Sequence, residues 1–192
     1  MGHSQAGKTQ SHDRIVKTAA KRFRESGLDG LAIADLMQEA GLTHGAFYKH
    51  FTSRDDLVLQ GLAAALADRQ FYPVPKNPLG LSFAEIVTGY LNEKHRDAPG
   101  IGCAVAALVN DLGRANGGAK DLYTAHVRSR IENTAARSGG ADAKRKRKQA
   151  IVAVSAMAGA LGLARAVSDK RLSDEIMRTV REHLLEAFSP AS

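Results

Sequence analysis

Residues 41–51 read Gly41-Leu42-Thr43-His44-Gly45-Ala46-Phe47-Tyr48-Lys49-His50-Phe51. They follow Ile33 to Ala40, where Ile33, Leu36, Met37 and Ala40 recur at i, i+3, i+4 and i+7, so one helical face is apolar and the other carries Asp35, Gln38 and Glu39. Gly41 is placed to end that helix, because a C-terminal cap takes a backbone conformation that glycine reaches at little cost. Thr43 is placed to cap a second helix through its hydroxyl, and on that helix Phe47 and Phe51 share a face at i and i+4. His44, Gly45, Tyr48 and Lys49 fall on the opposite face. Two short helices joined by a glycine-containing turn predict a helix-turn-helix, whose second helix is shaped to enter the major groove of DNA.

Working outward, residues 1–12 are polar and without periodicity, which predicts a disordered arm. Ile15, Val16, Ala19, Ala20 and Phe23 then form an apolar stripe ringed by Arg14, Lys17, Lys21, Arg22 and Arg24, a first helix that Ser11 or Asp13 can cap and Gly27 ends. Its apolar face is expected to pack on Leu28, Leu31, Leu36 and Phe47 in a three-helix head. After Phe51, Thr52 and Ser53 supply capping hydroxyls and Asp55 and Asp56 acids for the first turn of the next helix. That helix should fail by Pro73, since Phe71 to Pro78 holds three prolines and reads as a loop.

Helical periodicity resumes at Ser82 to Arg96, is broken by Pro99 and Gly100, and returns over Gly102 to Leu112, over residues 119 to about 137, over Asp142 to Val167 and over Leu172 to Phe188. The expected architecture is all-α, about nine helices. It comprises a disordered arm (1–12), a helix-turn-helix domain (13–57) and a larger helical domain (58–192).

Net charge and cysteine usage narrow the function classes. Lys and Arg number 27 against 20 Asp and Glu, a formal net charge of +7 that favours a polyanionic partner without naming it. A single cysteine, Cys103, excludes an internal disulfide framework and multi-cysteine zinc sites, and fits a reducing, cytoplasmic address. No metal or cofactor site is expected. The amino terminus lacks the apolar run of a signal peptide, and no apolar run approaches the ~20 residues of a membrane span, so no membrane partner is expected. Gly100 and Gly102 lack the third glycine and preceding strand of a dinucleotide site. No nucleophile lies beside a base at recognisable spacing, which argues against an enzyme.

The run Gly41-Leu42-Thr43-x-Gly45-Ala46-Phe47-Tyr48-x-His50-Phe51, with the amphipathic helix before it and Ser53-Arg54-Asp55-x-Leu57 after it, resembles the amino-terminal domain of the TetR/AcrR family of bacterial transcriptional regulators. The likeness covers roughly residues 13 to 60; the rest matches the family's ligand-binding and dimerisation domain only in helix count and length. The resemblance implies a homodimeric repressor that binds double-stranded DNA at a palindromic operator and releases it when an unknown small-molecule inducer occupies the second domain. It assigns phosphate contacts to Thr43, Tyr48, His50 and Arg54, the last able to hold a phosphate oxygen in a bidentate fork. Base reading falls to the exposed His44, Gly45, Ala46 and Lys49: Lys49 and His44 can donate to guanine, while Gly45 and Ala46 allow close approach and contact with a thymine methyl. One departure is Leu31-Ala32-Ile33, where the family commonly carries Thr or Ser; a hydroxyl cap is missing there.

Ligand candidates in the second domain are Tyr90, Tyr123 and His126, polar groups on otherwise apolar faces, with hydrogen-bonded core residues as the competing reading. Cys103 offers two readings: an oxidant- or electrophile-sensing thiol at a helix start, or a small packed side chain, the latter favoured. The run Lys144 to Lys148 reads as a solvated face. Two stripes mark the last long helices: Val154, Ala158 and Leu161 beside the small-residue face of Gly162, and Ile176, Val180 and Leu184, together the expected dimer interface. A structural DNA-binding protein without sequence preference is the alternative the charge permits.

Overall fold

The computed structural model describes residues 5–30, 32–71 and 80–188. The expected loop from Phe71 to Pro78, apart from Phe71 itself, lies outside the described residues, as do Leu31 and the first four residues of the expected arm. The described residues form nine α-helices and two short 3-10 helices, without a strand. The α-helices are α1 (Gln5–Ser26), α2 (Ile33–Glu39), α3 (Arg54–Ala67), α4 (Phe83–Tyr90), α5 (Glu93–Asp97), α6 (Ala104–Arg114), α7 (Gly118–Ala135), α8 (Ala143–Ala166) and α9 (Lys170–Phe188); the 3-10 helices are His44–Lys49 and Pro99–Ile101. The architecture is an amino-terminal helix-turn-helix domain and a larger helical carboxy-terminal one.

Three helices differ from the expectation. α1 begins at Gln5, so residues 5–12 continue the helix instead of forming a disordered arm. Extending a helix already nucleated by its packed face adds one hydrogen bond per residue fixed, far cheaper than starting one, and the Thr9 hydroxyl bonds back to the Gln5 carbonyl at 3.2 Å. The single helix expected from Ser82 to Arg96 is two, because Asn92 serves both ends: its Nδ2 donates to the Gly89 carbonyl closing α4 (2.7 Å), and its Oδ1 accepts the His95 N–H opening α5 (2.9 Å). The segment 44–49 winds as a tight 3-10 helix rather than an α-helix.

Compactness divides the chain into residues 1–68 with 103–123, and residues 69–102 with 124–192. In the first unit α1 packs on α3, and α6 packs on both. Ile15, Ala19, Phe23, Leu36, Met37, Phe47, Leu57, Leu62 and Leu108 are buried there. Gly61 allows the α1–α3 approach: a Cβ on it would stand 2.6 Å from the Phe23 ring and 3.1 Å from the Ala19 Cβ. Gly27, at φ 79°, ends α1, and Asp111 of α6 meets that turn by accepting the Leu28 N–H at 3.4 Å. Arg24 is the buried charge of this unit. Its guanidinium donates to the Ala65 carbonyl (3.2 Å) and to Asp68 (3.1 Å), which offsets the burial that lowers its pKa.

In the second unit α8 packs on α9, and α4 and α5 lie against them. Helices as short as α4 and α5 leave carbonyls that no later turn satisfies. Arginines from the long helices supply the donors: Arg165 of α8 bonds the His95 and Arg96 carbonyls at 2.6 and 3.0 Å, and Arg181 of α9 bonds the Leu91 carbonyl at 3.2 Å. Arg96 in turn pairs with Asp97 and Asp174 and donates to the Ser173 hydroxyl. By length and composition α8 is apolar enough to cross a membrane, with a mean hydropathy of 1.4 over its most apolar window. Its stripe of Ala150, Ala153, Val154, Met157, Leu161 and Ala164 is buried within this unit.

His95 carries a pH prediction for this unit. It is buried, its ring lies flat on Phe71 (4.2 Å between centroids) and its Nδ1 donates to the Tyr90 carbonyl at 2.7 Å. Burial pushes the imidazole down to about 4; that hydrogen bond opposes the shift, while Arg165 and Arg130 add to it. In the unfolded chain it takes a proton near its ordinary value of ~6.5. The stability His95 contributes is therefore complete above that value and lost as pH falls towards 4, by roughly 3 kcal/mol at most. Urea unfolding at pH 7.5 and pH 5 should show this acid loss in the wild type and a shallower one in His95→Gln; parallel losses in the two proteins would place the acid sensitivity elsewhere.

Candidate nucleic-acid interface

The turn between the two short helices is made by backbone geometry rather than by side-chain caps. Gly41 takes φ 72°, and the Gly41 and Leu42 N–H groups close α2 onto the Gln38 and Met37 carbonyls at 2.9 and 2.8 Å. Thr43 stands at the N-cap of the 3-10 helix in extended conformation, but its side chain makes no cap hydrogen bond. The expected hydroxyl cap is therefore not formed, and the exposed hydroxyl faces solvent at the start of the recognition segment. Ala32 likewise caps α2 without a side-chain bond, as its identity requires.

Phe47 anchors the segment. It is buried, stacked on Phe51 at 5.4 Å and met edge-on by Tyr48 at 5.1 Å. With Phe47 directed inward, Thr43, His44, Gly45, Tyr48 and Lys49 are exposed, Ala46 and His50 half-buried. Tyr48 is 75 % exposed. Around Gly45 the space is open: a Cβ there would meet nothing within 4 Å. The face is thus low at Gly45, flanked by donors, and bare.

α3 opens rigidly behind it. Ser53 accepts the Asp56 N–H at 3.0 Å, while Asp56 accepts from the Thr52 N–H, the Thr52 hydroxyl and Gln60. Those bonds hold the Asp56 carboxyl below the usual range, the Gln60 bond contributing most. This cap positions Arg54, whose guanidinium donates to the Leu28 carbonyl at 2.9 Å and stands 3.7 Å from Asp29. Arg54 is exposed, yet part of its fork already holds the turn after α1, leaving less of it for a phosphate than the sequence suggested. His12 was missed entirely, because residues 1–12 read as disordered; its ring stacks on Phe51 at 5.0 Å. The i, i+3 step back from Ile15 was the available signal.

The ligand candidates separate. Tyr90 and His126 belong to the second unit, Cys103 and Tyr123 to the first. Tyr123 donates its hydroxyl to the Val105 carbonyl at 3.0 Å, and burial, with Cys103 nearby, pushes its pKa up to about 12. It reads as a satisfied packing residue. Cys103 is buried at the N-cap of α6. In the second unit, Tyr90 is buried beneath Phe71 and His95, and the Arg130 guanidinium lies 5.7 Å from its ring centroid. Burial first, then Arg130 and Arg69, push the half-buried His126 down to about 4.

The expected dimer residues also divide. Val154, Leu161 and Leu184 are buried in the core of their own unit, so they cannot line a surface. Ala158, Ile176 and Val180 are half-buried, and Gly162 is exposed with open space above it. On α8 and α9 the large apolar side chains left exposed are instead Ile151, Val152, Leu163 and Leu172. The sequence pattern found the apolar stripes but not which of two stripes on α8 faces inward, because both are apolar enough to be buried.

Residues 15–60 match the family model described as bacterial regulatory proteins, tetR family. Over 50 residues the chain is 36 % identical to the uncharacterised HTH-type transcriptional regulator YerO of Bacillus subtilis (strain 168), a match spanning 26 % of this chain and only 17 % of that protein. The fold is similar along nearly the whole chain to a TetR transcriptional regulator from Chloroflexus aurantiacus (TM-score 0.76, 20 % identity, 97 % of this chain and 100 % of that one). It is also similar to NemR of E. coli in its reduced form (TM-score 0.75, 15 % identity, 95 % and 98 %). Residues 15–60 thus match the head domain of the tetR family, and the described helices follow the fold seen in TetR transcriptional regulators.

Proposed function

We propose that the protein is a homodimeric repressor that binds a palindromic DNA operator through residues 43–54 and releases it when a small molecule occupies the second unit. The observation that carries the reading is the bare face of the recognition segment: Tyr48 is 75 % exposed, and nothing stands above Gly45. Thr43, Tyr48, His50 and Arg54 supply phosphate contacts; His44, Gly45, Ala46 and Lys49 meet the base edges.

A second copy supports the affinity one head lacks. Its seat is the exposed side of α8, where Val152 and Leu163 flank the open small-residue surface of Gly159 and Gly162, joined by Ile151 and by Leu172 of α9. A two-fold dimer sets its reading helices about 34–36 Å apart or a small multiple of that spacing. Ligand release follows from linkage: a molecule held near Tyr90, His126 and Arg130 lowers operator affinity by its preference for the releasing conformation, and by no more.

The test compares a duplex selected by the full chain from a randomised pool with a scrambled duplex across a salt series, with sedimentation reporting the bound species. Two protomers on the selected duplex, preferred at least about a thousandfold over the scrambled one, is the expected result. Equal affinities with one shared salt slope would mean a structural DNA-binding protein without sequence preference, because phosphate contacts carry no sequence information.

A further inference from the structure

The core face of α1 runs through Ile15, Ala19 and Phe23, all buried. Stepping back from Ile15 by three and then four residues gives His12 and Lys8, so these two continue the same face beyond the core. What they meet is the end of the recognition segment. The His12 ring stacks on Phe51 with centroids 5.0 Å apart and rings 24° from parallel, and its centroid lies 6.2 Å from that of His50. Lys8 is exposed, and the His12 side chain keeps 30 % of its surface.

His50 is the unsatisfied member of this group. Its Nδ1 is buried without a hydrogen-bond partner among the described residues. Burial, followed by His12, Lys8 and Lys49, disfavours the charged ring; every charged neighbour acting on it is basic. Two acids stand close to His12. Asp13 lies 3.7 Å from its Nδ1, and Asp56 of α3 senses its charge but has its carboxylate bonded to Thr52 and Gln60. The result is an edge formed by α1 and the recognition segment at which every charge acting on His50 is basic. An arriving anion relieves that imbalance.

We propose that Lys8 and His12 form, with His50, a further phosphate-binding edge of the head, so that the DNA backbone is gripped from the first turns of α1 as well as from the recognition segment. This rests on the DNA-binding reading above. A phosphate beside an imidazole favours the imidazolium, so binding takes up protons and tightens as pH falls. Lys8 acts as a plain charge, visible in the salt dependence rather than the pH dependence.

The experiment titrates the selected duplex with the full-length protein and with His12→Gln and Lys8→Ala. Titrations run at pH 6 and pH 8 at fixed ionic strength, and across a salt series at pH 8, with circular dichroism melts verifying the fold at each pH. The wild type should bind tighter at pH 6 than at pH 8, by up to about tenfold per protomer, the linkage of one unit's rise in an imidazole pKa on binding. His12→Gln should lose most of that gain, while Lys8→Ala should lower the magnitude of the salt slope by about 0.9 per protomer. A folded His12→Gln with the wild-type pH profile, or a Lys8→Ala with the wild-type salt slope, overturns that residue's part in the edge while leaving the DNA-binding reading intact. Failure of the wild type to bind any duplex at either pH would instead defeat the DNA-binding reading, and this edge with it.

Discussion

Gly45→Leu is expected to leave urea unfolding within about 0.5 kcal/mol of the wild type and to weaken operator binding about a hundredfold or more, a loss of roughly 3 kcal/mol. The two halves of that expectation have separate physical sources. Stability is spared because a Cβ at this position meets nothing within 4 Å, and the φ of Gly45 is not positive. Leucine therefore adds a side chain into open solvent without backbone strain. Binding suffers because that solvent is the volume the base edges are to occupy: an isobutyl group there lifts Thr43, Tyr48 and Lys49 away from their partners together. Anisotropy titration of a labelled duplex beside urea unfolding reads both. Wild-type affinity in a folded Gly45→Leu would mean that this face does not approach DNA.

Phe47→Ala is expected to act in the opposite way, losing stability first and DNA binding only as a consequence. Phe47 is 1 % exposed and stacked on Phe51, and it fixes which side of the 3-10 helix faces inward. Truncating a buried phenylalanine costs about 3–5 kcal/mol, the transfer term plus the cavity left behind. Because the first unit is small, a loss of that size should bring its unfolding midpoint well below the wild type's. Phe47→Leu should recover much of the stability, since volume is partly restored. Were Phe47→Ala to lose DNA binding while unfolding at the wild-type midpoint, Phe47 would be a contact residue and not the anchor. Taken together, Gly45 and Phe47 separate the reading face of the segment from its structural face, two residues apart in sequence.

The head was legible in the chain because its information is local. Gly27 and Gly41 end α1 and α2 with positive φ, as their placement predicted, and the i, i+4 pair of Phe47 and Phe51 does face the core. Caps were read less well. Thr43 occupies the N-cap position without using its hydroxyl, while Asn92, which no periodicity marked, closes α4 and opens α5. A capping residue's identity makes a bond available; whether it forms depends on backbone angles that distant packing sets.

The second unit was legible only as a set of helices. α8 has two stripes, each apolar or small enough to be buried, and composition does not say which one the chain covers for itself. The structure buries Val154 and Leu161 and leaves Val152 and Leu163 exposed. Arg165 and Arg181 bond carbonyls at the ends of α5 and α4 from more than sixty residues away in sequence. Similarly, Cys103 and Tyr123 entered as ligand candidates beside Tyr90 and His126, yet the chain folds the first pair into a different compact unit from the second.

By itself the sequence determined the all-helical class, the helix-turn-helix between Ile33 and Phe51, and the residues its second helix exposes, because glycine conformation and 3.6-residue periodicity act within a few turns. Only the tertiary structure decided that residues 5–12 extend α1 until His12 lies on Phe51, that Arg54 is shared with the turn after α1, and which face of α8 remains open. Each of those outcomes depends on groups far apart in the chain meeting in space, and no local preference encodes such a meeting.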